Sequence, residues 1–275
     1  AWLMLIIPLS IYSYGSDPDS GRIAQTASKI WAEKDYFKSR TTGFPLYEIL
    51  VTPFVVFGKW YLSNFVSIVF GLSILYSLLR LVSNDKKINN PFFLIVAIMF
   101  SPLVLKNSTS TMDYIPALSF LFWSYNYMKL DKLFHSAVLI GISSGFRPNY
   151  GILILSLILY TWLKNRDLKL VAKLFLVALI TGLICYSPFL IKYGIPSLNN
   201  ISVQVEITLK NHILIFGHGG LNFLGIVPSL FIYPSLIFFI FKNKRKISNT
   251  SYYHLSNITI HLFLFLLIPY ETEYL

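Results

Sequence analysis

The sequence predicts an all-α protein: a polytopic bundle of transmembrane helices with a long external first loop that carries an interfacial amphipathic helix. Three observations carry this expectation. Hydrophobic residues make up 55% of the 275-residue chain and charged residues only 13%, against about a quarter in a soluble domain. Mean hydropathy is +0.62. The apolar residues also gather in long runs between basic clusters, without the polar/apolar alternation over about ten residues that marks a barrel strand.

Taken in order, residues 1–14 form an apolar stretch with no basic n-region and no small-residue cleavage site. They read as a truncated first helix rather than a signal peptide, and the chain as a fragment cut at both ends. About 20 residues at 1.5 Å rise cross the roughly 30 Å hydrocarbon core. Residues 61–81, 170–191 and 221–241 meet that length. Residues 91–105, 114–128, 136–146, 149–163 and 257–269 are shorter and read as tilted or broken spans of a packed bundle. The single cysteine, Cys185, lies inside an apolar run. That excludes an intrachain disulfide, a four-cysteine metal site and a CxxC redox centre, and leaves a buried, inert thiol.

Charge sets the expected orientation. If the first helix leaves the cytoplasm, the cytoplasmic segments hold 13 cations against Asp85, Asp131 and Asp167, and the opposite side holds ten cations and nine acids. One consistent orientation then obeys the positive-inside rule. The net charge of +11 is accordingly a topology signal. No nucleic-acid partner is expected, and residues 242–246 (KNKRK) read as a solvated cytoplasmic loop near anionic lipid.

The nine outer acids are Asp17, Asp19, Glu33, Asp35, Glu48, Asp113, Glu206, Glu271 and Glu273. Carboxylates beside a bilayer are costly and mark functional cavities by default. Residues 15–44 are long for a mere connection. Asp17-Pro18 starts a helix, Asp as N-cap and Pro at N1. Ile23, Ala27, Ile30 and Trp31 then share one face, expected to lie on the membrane surface. Only one cap is needed, so of Asp17 and Asp19 one acid remains for chemistry. The Gly43-Phe44-Pro45 turn re-enters the apolar phase and sets Arg40 and Glu48 at its rim. Glu48 needs a partner there. It is either an ion pair with Arg40 or part of a site that positions a phosphate or a sugar hydroxyl.

Lys106 and Asp113 bound the second outer loop, and Asp113 opens the next helix, where capping is its simplest role. Gly145-Phe-Arg147-Pro-Asn149 breaks two short runs. Arg147 is either a snorkelling anchor or an anion holder kept in place by helix ends. His212 and His218 are six apart, which suits neither a helical nor a strand zinc pair; they read as loop residues that face substrate.

The order of these features resembles a family. A first helix leads outward, an acid-rich loop with a helix follows, and then comes an Arg…Gly-aromatic-Pro-Leu-Tyr re-entry. A span opening on Thr-Met-Asp113, a Gly141-x-x-x-Gly145-x-Arg147-Pro segment and a terminal Glu271-Thr-Glu273-Tyr-Leu complete it. This looks like the polyprenyl-phosphate-dependent membrane glycosyltransferases of the C-type superfamily, which include the protein O-mannosyltransferase and aminoarabinose-transferase families. The resemblance covers nearly the whole chain as one transmembrane domain. It departs at Asp17-Pro-Asp19, where many relatives have Asp-Glu, and at Glu273, where relatives often have Arg.

The resemblance implies a polyprenyl-phosphate-linked sugar donor, a lipid, glycan or protein acceptor, and an inverting transfer on the non-cytoplasmic face of the plasma membrane or endoplasmic reticulum. A single displacement needs a carboxylate to take the acceptor proton and cations to hold the leaving phosphate. Asp19 or Asp17 is expected as the base. Arg147 and Arg40 are expected on the phosphate, with Lys106 weaker, and Glu48, Asp113 and His218 as further substrate contacts. There is no G-x-x-x-x-G-K-[ST] loop for a nucleotide. Asp17, Asp19 and Asp113 are hard oxygen ligands, so a divalent metal is chemically compatible, though no cofactor is assigned. The rival readings are a lipid-linked-sugar flippase or other transporter, which should place charges at the midplane in paired halves, and a polysaccharide ligase.

Overall fold

The structure is a computed structural model that describes residues 1–40, 43–84, 91–194 and, beyond these, 250, 253–254, 256–258 and 260. The described residues are helical, with no strand among them. They comprise α1 (Trp2–Ser10), α2 (Pro18–Glu33), α3 (Pro45–Asn84), α4 (Pro91–Met99), α5 (Pro102–Ser108), α6 (Tyr114–Lys129), α7 (Leu133–Phe146), a 3₁₀ turn (Pro148–Leu153), α8 (Ile154–Asn165) and α9 (Leu168–Tyr193). Two of these, α3 and α9, are long and apolar enough to cross a membrane, and the pair α4 and α5, bent by 57° between them, makes a third if it counts as one broken span. The expected spans at 61–81 and 170–191 fall inside α3 and α9. Residues 221–241, the loop with Glu206, His212 and His218, residues 242–246 and Glu271–Glu273 lie outside the described residues.

The chain divides into two compact units. The first holds residues 1–100, 104–154 and 172–201, and the second residues 101–103, 155–171 and 202–275. In the second, Tyr160 of α8 meets Tyr253 edge-on, the centroids being 6.4 Å apart, and Asp167 caps α9 by accepting from the amides of Lys169 and Leu170.

Polar side chains join the apolar helices of the first unit. Ser119 and Trp123 of α6 both donate to Ser73 of α3, at 3.0 and 2.9 Å. Asn126 donates to the carbonyl and hydroxyl of Ser77, and Ser124 pairs with Ser136 of α7 at 2.8 Å. Such directional bonds fix which helix faces meet, which apolar contact alone leaves open. Small residues do the rest. A Cβ on Gly141 would stand 2.6 Å from Thr181, and one on Gly145 only 2.3 Å from Cys185, so α7 and α9 touch backbone to backbone there. Cys185 is thus half-buried against a glycine rather than fully enclosed.

Two elements depart from expectation. The apolar face of α2 does not lie outward on a lipid surface. Ile23, Ala24 and Ala27 are buried inside the protein, and only its C-terminal end, with Trp31 edge-on to Phe57, is exposed. The face packs on α3 instead. Second, α3 is broken at Lys59 (φ 50°, ψ −138°). Trp60, just past the break, donates to the carbonyl of Ile11 at 2.9 Å and packs edge-on against Tyr14, so it lies beside the end of α1.

Candidate functional site

Four charged residues that are far apart in sequence meet in the first unit. Asp19 comes from the first turn of α2, Arg40 from the loop before α3, Asp113 from the residue before α6, and Arg147 from the end of α7. Arg40 Nη1 lies 3.1 Å from Asp19 Oδ2, and its Nη2 bonds Asp113 Oδ1. Arg147 Nη1 stands 3.3 Å from Asp113 Oδ2. Arg22 closes the outer end, 3.0 Å from Asp19 Oδ1. The result is an alternating line: Arg22, Asp19, Arg40, Asp113, Arg147.

Each member is fixed by its own segment. Asp17 caps α2, its Oδ1 accepting from the Asp19 amide at 3.0 Å; the cap role falls to Asp17 and leaves Asp19 free to reach Arg40. Asp113 is set by a stapled strand of backbone. The Thr111 amide donates to the Tyr14 carbonyl at 2.7 Å, Ser67 donates to the Ser110 carbonyl, and Thr111 donates to Asn64 and pairs with Ser63. Gly15 is needed beside it: its φ is +138°, and a Cβ there would lie 2.4 Å from Ser110. The Asp113 side chain makes no capping bond to α6, so the simple cap expected of it is not its role. Arg147 leaves α7 in extended backbone (φ −144°, ψ 110°) because Pro148 cannot continue the helix and starts the 3₁₀ turn instead.

Rings sandwich the arginines. Arg40 lies 3.9 Å from the Phe44 centroid, and Arg147 lies 4.0 Å from that of Tyr114 and 5.6 Å from that of Phe44. Arg147 is only 2% exposed. It is therefore an inward-held cation and not a snorkelling anchor. Burial disfavours the Asp113 carboxylate, but Arg40 and Arg147 outweigh that cost and hold it below the usual carboxylate range.

Glu48 belongs to a different construction. Its carboxylate accepts from the Tyr36 hydroxyl at 2.5 Å, the Ser39 amide at 2.7 Å, the Ser39 hydroxyl at 2.5 Å and the Phe44 amide at 3.1 Å. The expected ion pair with Arg40 is replaced by these four donors, which nearly exhaust the four lone-pair sites of a carboxylate. Glu48 ties together both ends of the loop that presents Arg40. Gly43 (φ +61°) completes the turn against the ring of Phe189 and the hydroxyl of Tyr36, and Tyr186 donates to its carbonyl at 2.9 Å. Burial and the Glu48 charge raise the Tyr36 hydroxyl well above an ordinary phenol.

Lys106 is not brought into the line; its side chain is exposed and makes no ion pair among the described residues. His218 lies outside the described residues. Nor do the acids form a metal-binding trio. Asp17 is folded onto α2, Asp19 and Asp113 face arginines, and among the described residues no three His, Cys, Asp or Glu converge. Sequence reasoning missed Arg22, Tyr36, Ser39 and Tyr114. An Asp19–Arg22 pair at i, i+3 was there to be read, and so was the ring next to Asp113. Nothing local marked Tyr36 or Ser39.

What the line can do follows from its gradient of access. Asp113 and Arg147 are sealed, whereas Asp19 and Arg40 remain partly accessible. The accessible end thus offers one carboxylate and one guanidinium side by side, backed by a rigid pair. No protein-family model matches the chain, and neither does any curated protein or any solved structure.

Proposed function

We propose that the chain is a multi-pass membrane glycosyltransferase that moves a sugar from a polyprenyl-phosphate donor to an acceptor hydroxyl on the non-cytoplasmic face. One observation carries the reading: Asp19, Arg40, Asp113 and Arg147 converge in a chain that is otherwise poor in charge. Buried charges in an apolar protein are expensive and mark a site by default. Asp19, the accessible carboxylate, takes the proton of the acceptor hydroxyl. The hydroxyl oxygen bonds to the anomeric carbon as the bond from that carbon to the phosphate oxygen breaks. The charge that develops on the phosphate falls on Arg40, whose fork suits two oxygens at once. Arg147 acts from behind Asp113, fixing that carboxylate and through it Arg40.

The test is incubation of the full-length protein with radiolabelled polyprenyl-phosphate sugars and membrane extract. Label should pass to an acceptor with the unmodified protein and not with Asp19→Asn. Cysteine accessibility labelling should place residues 242–246 in the cytoplasm and residues 15–44 outside. No transfer from any donor, or both segments on one side, would end the reading.

A further inference from the structure

We infer that Phe44 is a positioning residue for the donor phosphate: its ring holds the Arg40 guanidinium in place while the phosphate takes the place of Asp19. The inference rests on the reading that Arg40 receives that phosphate, and adds a residue on which the exchange depends.

The backbone around the ring is tied on both sides. Before it, Gly43 takes a positive φ of +61°, and the Gly43 carbonyl accepts from Tyr186 at 2.9 Å. The Phe44 amide itself donates to Glu48 Oε2 at 3.1 Å. After it, Pro45 opens α3 and disfavours helical backbone at Phe44. The side chain is 7% exposed. An anchored segment thus presents one buried aromatic face.

Two cations lie against that ring. Arg40 Cζ is 3.9 Å from its centroid and Arg147 Cζ 5.6 Å, both within the reach of about 6 Å over which the negative face of a ring attracts a cation. Arg40 is the nearer and the more accessible of the two.

A ring does for Arg40 what a further carboxylate could not. Asp19 and Asp113 meet its Nη1 and Nη2 through hydrogen bonds, which lie in the guanidinium plane and offset its charge. Another carboxylate would hold the group as firmly, but would compete with phosphate for the same edge and weaken its pull. The Phe44 ring grips the flat face. It leaves the charge and the in-plane donors to oxygens, and its contact persists when Asp19 lets go. The plane of the fork therefore stays set during the exchange. Phe44 has no polar side-chain atom to bond a substrate, so it acts through Arg40.

The experiment replaces Phe44 in the full-length protein with mono-, di- and trifluorophenylalanine by nonsense suppression. Fluorine withdraws electron density from the ring face and leaves its shape nearly unchanged, and the backbone bond to Glu48 is untouched. Binding of farnesyl phosphate to the protein in detergent is read by phosphorus NMR line broadening, with empty micelles as reference. Affinity should fall stepwise with each fluorine, by about 10-fold across the series, as expected for a buried cation–ring contact. Phe44→Leu, which removes the face, should lose at least as much. In an Arg40→Gln background, the trifluoro ring should bind no worse than the natural one. Affinity indifferent to fluorine overturns the inference and leaves the phosphate reading of Arg40 intact. A fluorine dependence that survives Arg40→Gln also overturns it, since the ring would then act through Arg147. An unmodified chain that binds no farnesyl phosphate overturns both readings.

Discussion

Replacing Asp113 by Asn tests whether the charged line is one coupled unit. Asn keeps the volume and removes the charge on which Arg40 and Arg147 both close. Arg147, 2% exposed, then loses a buried counter-charge. Breaking a buried pair from one side costs about 3–5 kcal/mol, because the remaining charge stays out of water. Arg40 keeps Asp19 and the Phe44 ring, so most of the loss falls on Arg147. Each kcal/mol lowers Tm by about 2–4 °C in a domain of some 200 residues, which predicts a fall of about 6–20 °C. Intrinsic fluorescence during a thermal ramp in mild detergent measures it. Adding Arg147→Met removes the buried cation that faced Asp113, and the double variant should return to within about 1–2 kcal/mol of the parent. A loss under about 1 kcal/mol in Asp113→Asn, or additive losses in the double variant, would refute the coupling. The pH dependence follows from the same contacts. The folded Asp113 has a pKa below that of the unfolded chain. Its contribution is therefore complete above about pH 4 and is lost only as pH falls through the lower folded value. Asp113→Asn should flatten the acid limb of the Tm profile there and leave the profile near neutrality parallel to the parent.

Other outcomes separate the remaining roles. Asp17→Asn should be nearly silent, because Asn caps as well as Asp, whereas Asp17→Ala should cost about 1 kcal/mol of stability; Asp19→Asn should cut turnover by orders of magnitude at unchanged Tm, and the reverse pattern would exchange the two assignments. Glu48→Gln should present an amide donor to the Ser39 or Phe44 amide, costing about 1–3 kcal/mol and raising the donor KM through a loosened Arg40; a KM equal to that of the parent would leave the loop tie without consequence for the site.

The helices were legible because their signals are local. Asp17-Pro18 set the start of α2 and Pro45 that of α3, and the proline at 148 ended α7 at Phe146, where the expected run of residues 136–146 ends. Asp19, Arg40, Asp113 and Arg147 were each picked out by the cost of charge in an apolar chain, a property of composition that needs no fold. Their pairing was not legible. Arg40 and Glu48 are eight apart and of opposite sign, so they invite pairing. Glu48 instead finds two amides and two hydroxyls closer at hand, which frees Arg40 for acids 21 and 73 residues away. The orientation of α2 failed for a related reason. Its apolar face reads the same whether it meets lipid or another helix, and only the tertiary fold supplies α3 as the partner.

Access along the line has a kinetic consequence under the proposed function. Side-chain exposure falls from 63% at Arg22 through 18% at Asp19 and 12% at Arg40 to 0% at Asp113 and 2% at Arg147. A donor phosphate arriving from the open side meets Arg40 first, and Arg40 already holds Asp19 at 3.1 Å. To accept two phosphate oxygens the guanidinium must release Asp19, since its other face stays on Asp113. The released carboxylate can then turn to the acceptor hydroxyl. Donor binding thus switches on the residue that deprotonates the acceptor, and the order should be donor first. Isotope trapping reads this directly: labelled donor bound before a chase should be carried into product when acceptor is added, while acceptor bound first should exchange away. Arg40→Lys, with one point charge instead of a fork, should hold phosphate and Asp19 poorly at once. It should lose about 30- to 1000-fold in kcat/KM, the equivalent of about 2–4 kcal/mol. Equal trapping from either side would show that Asp19 needs no release, and would return Arg40 and Asp19 to the role of a structural ion pair.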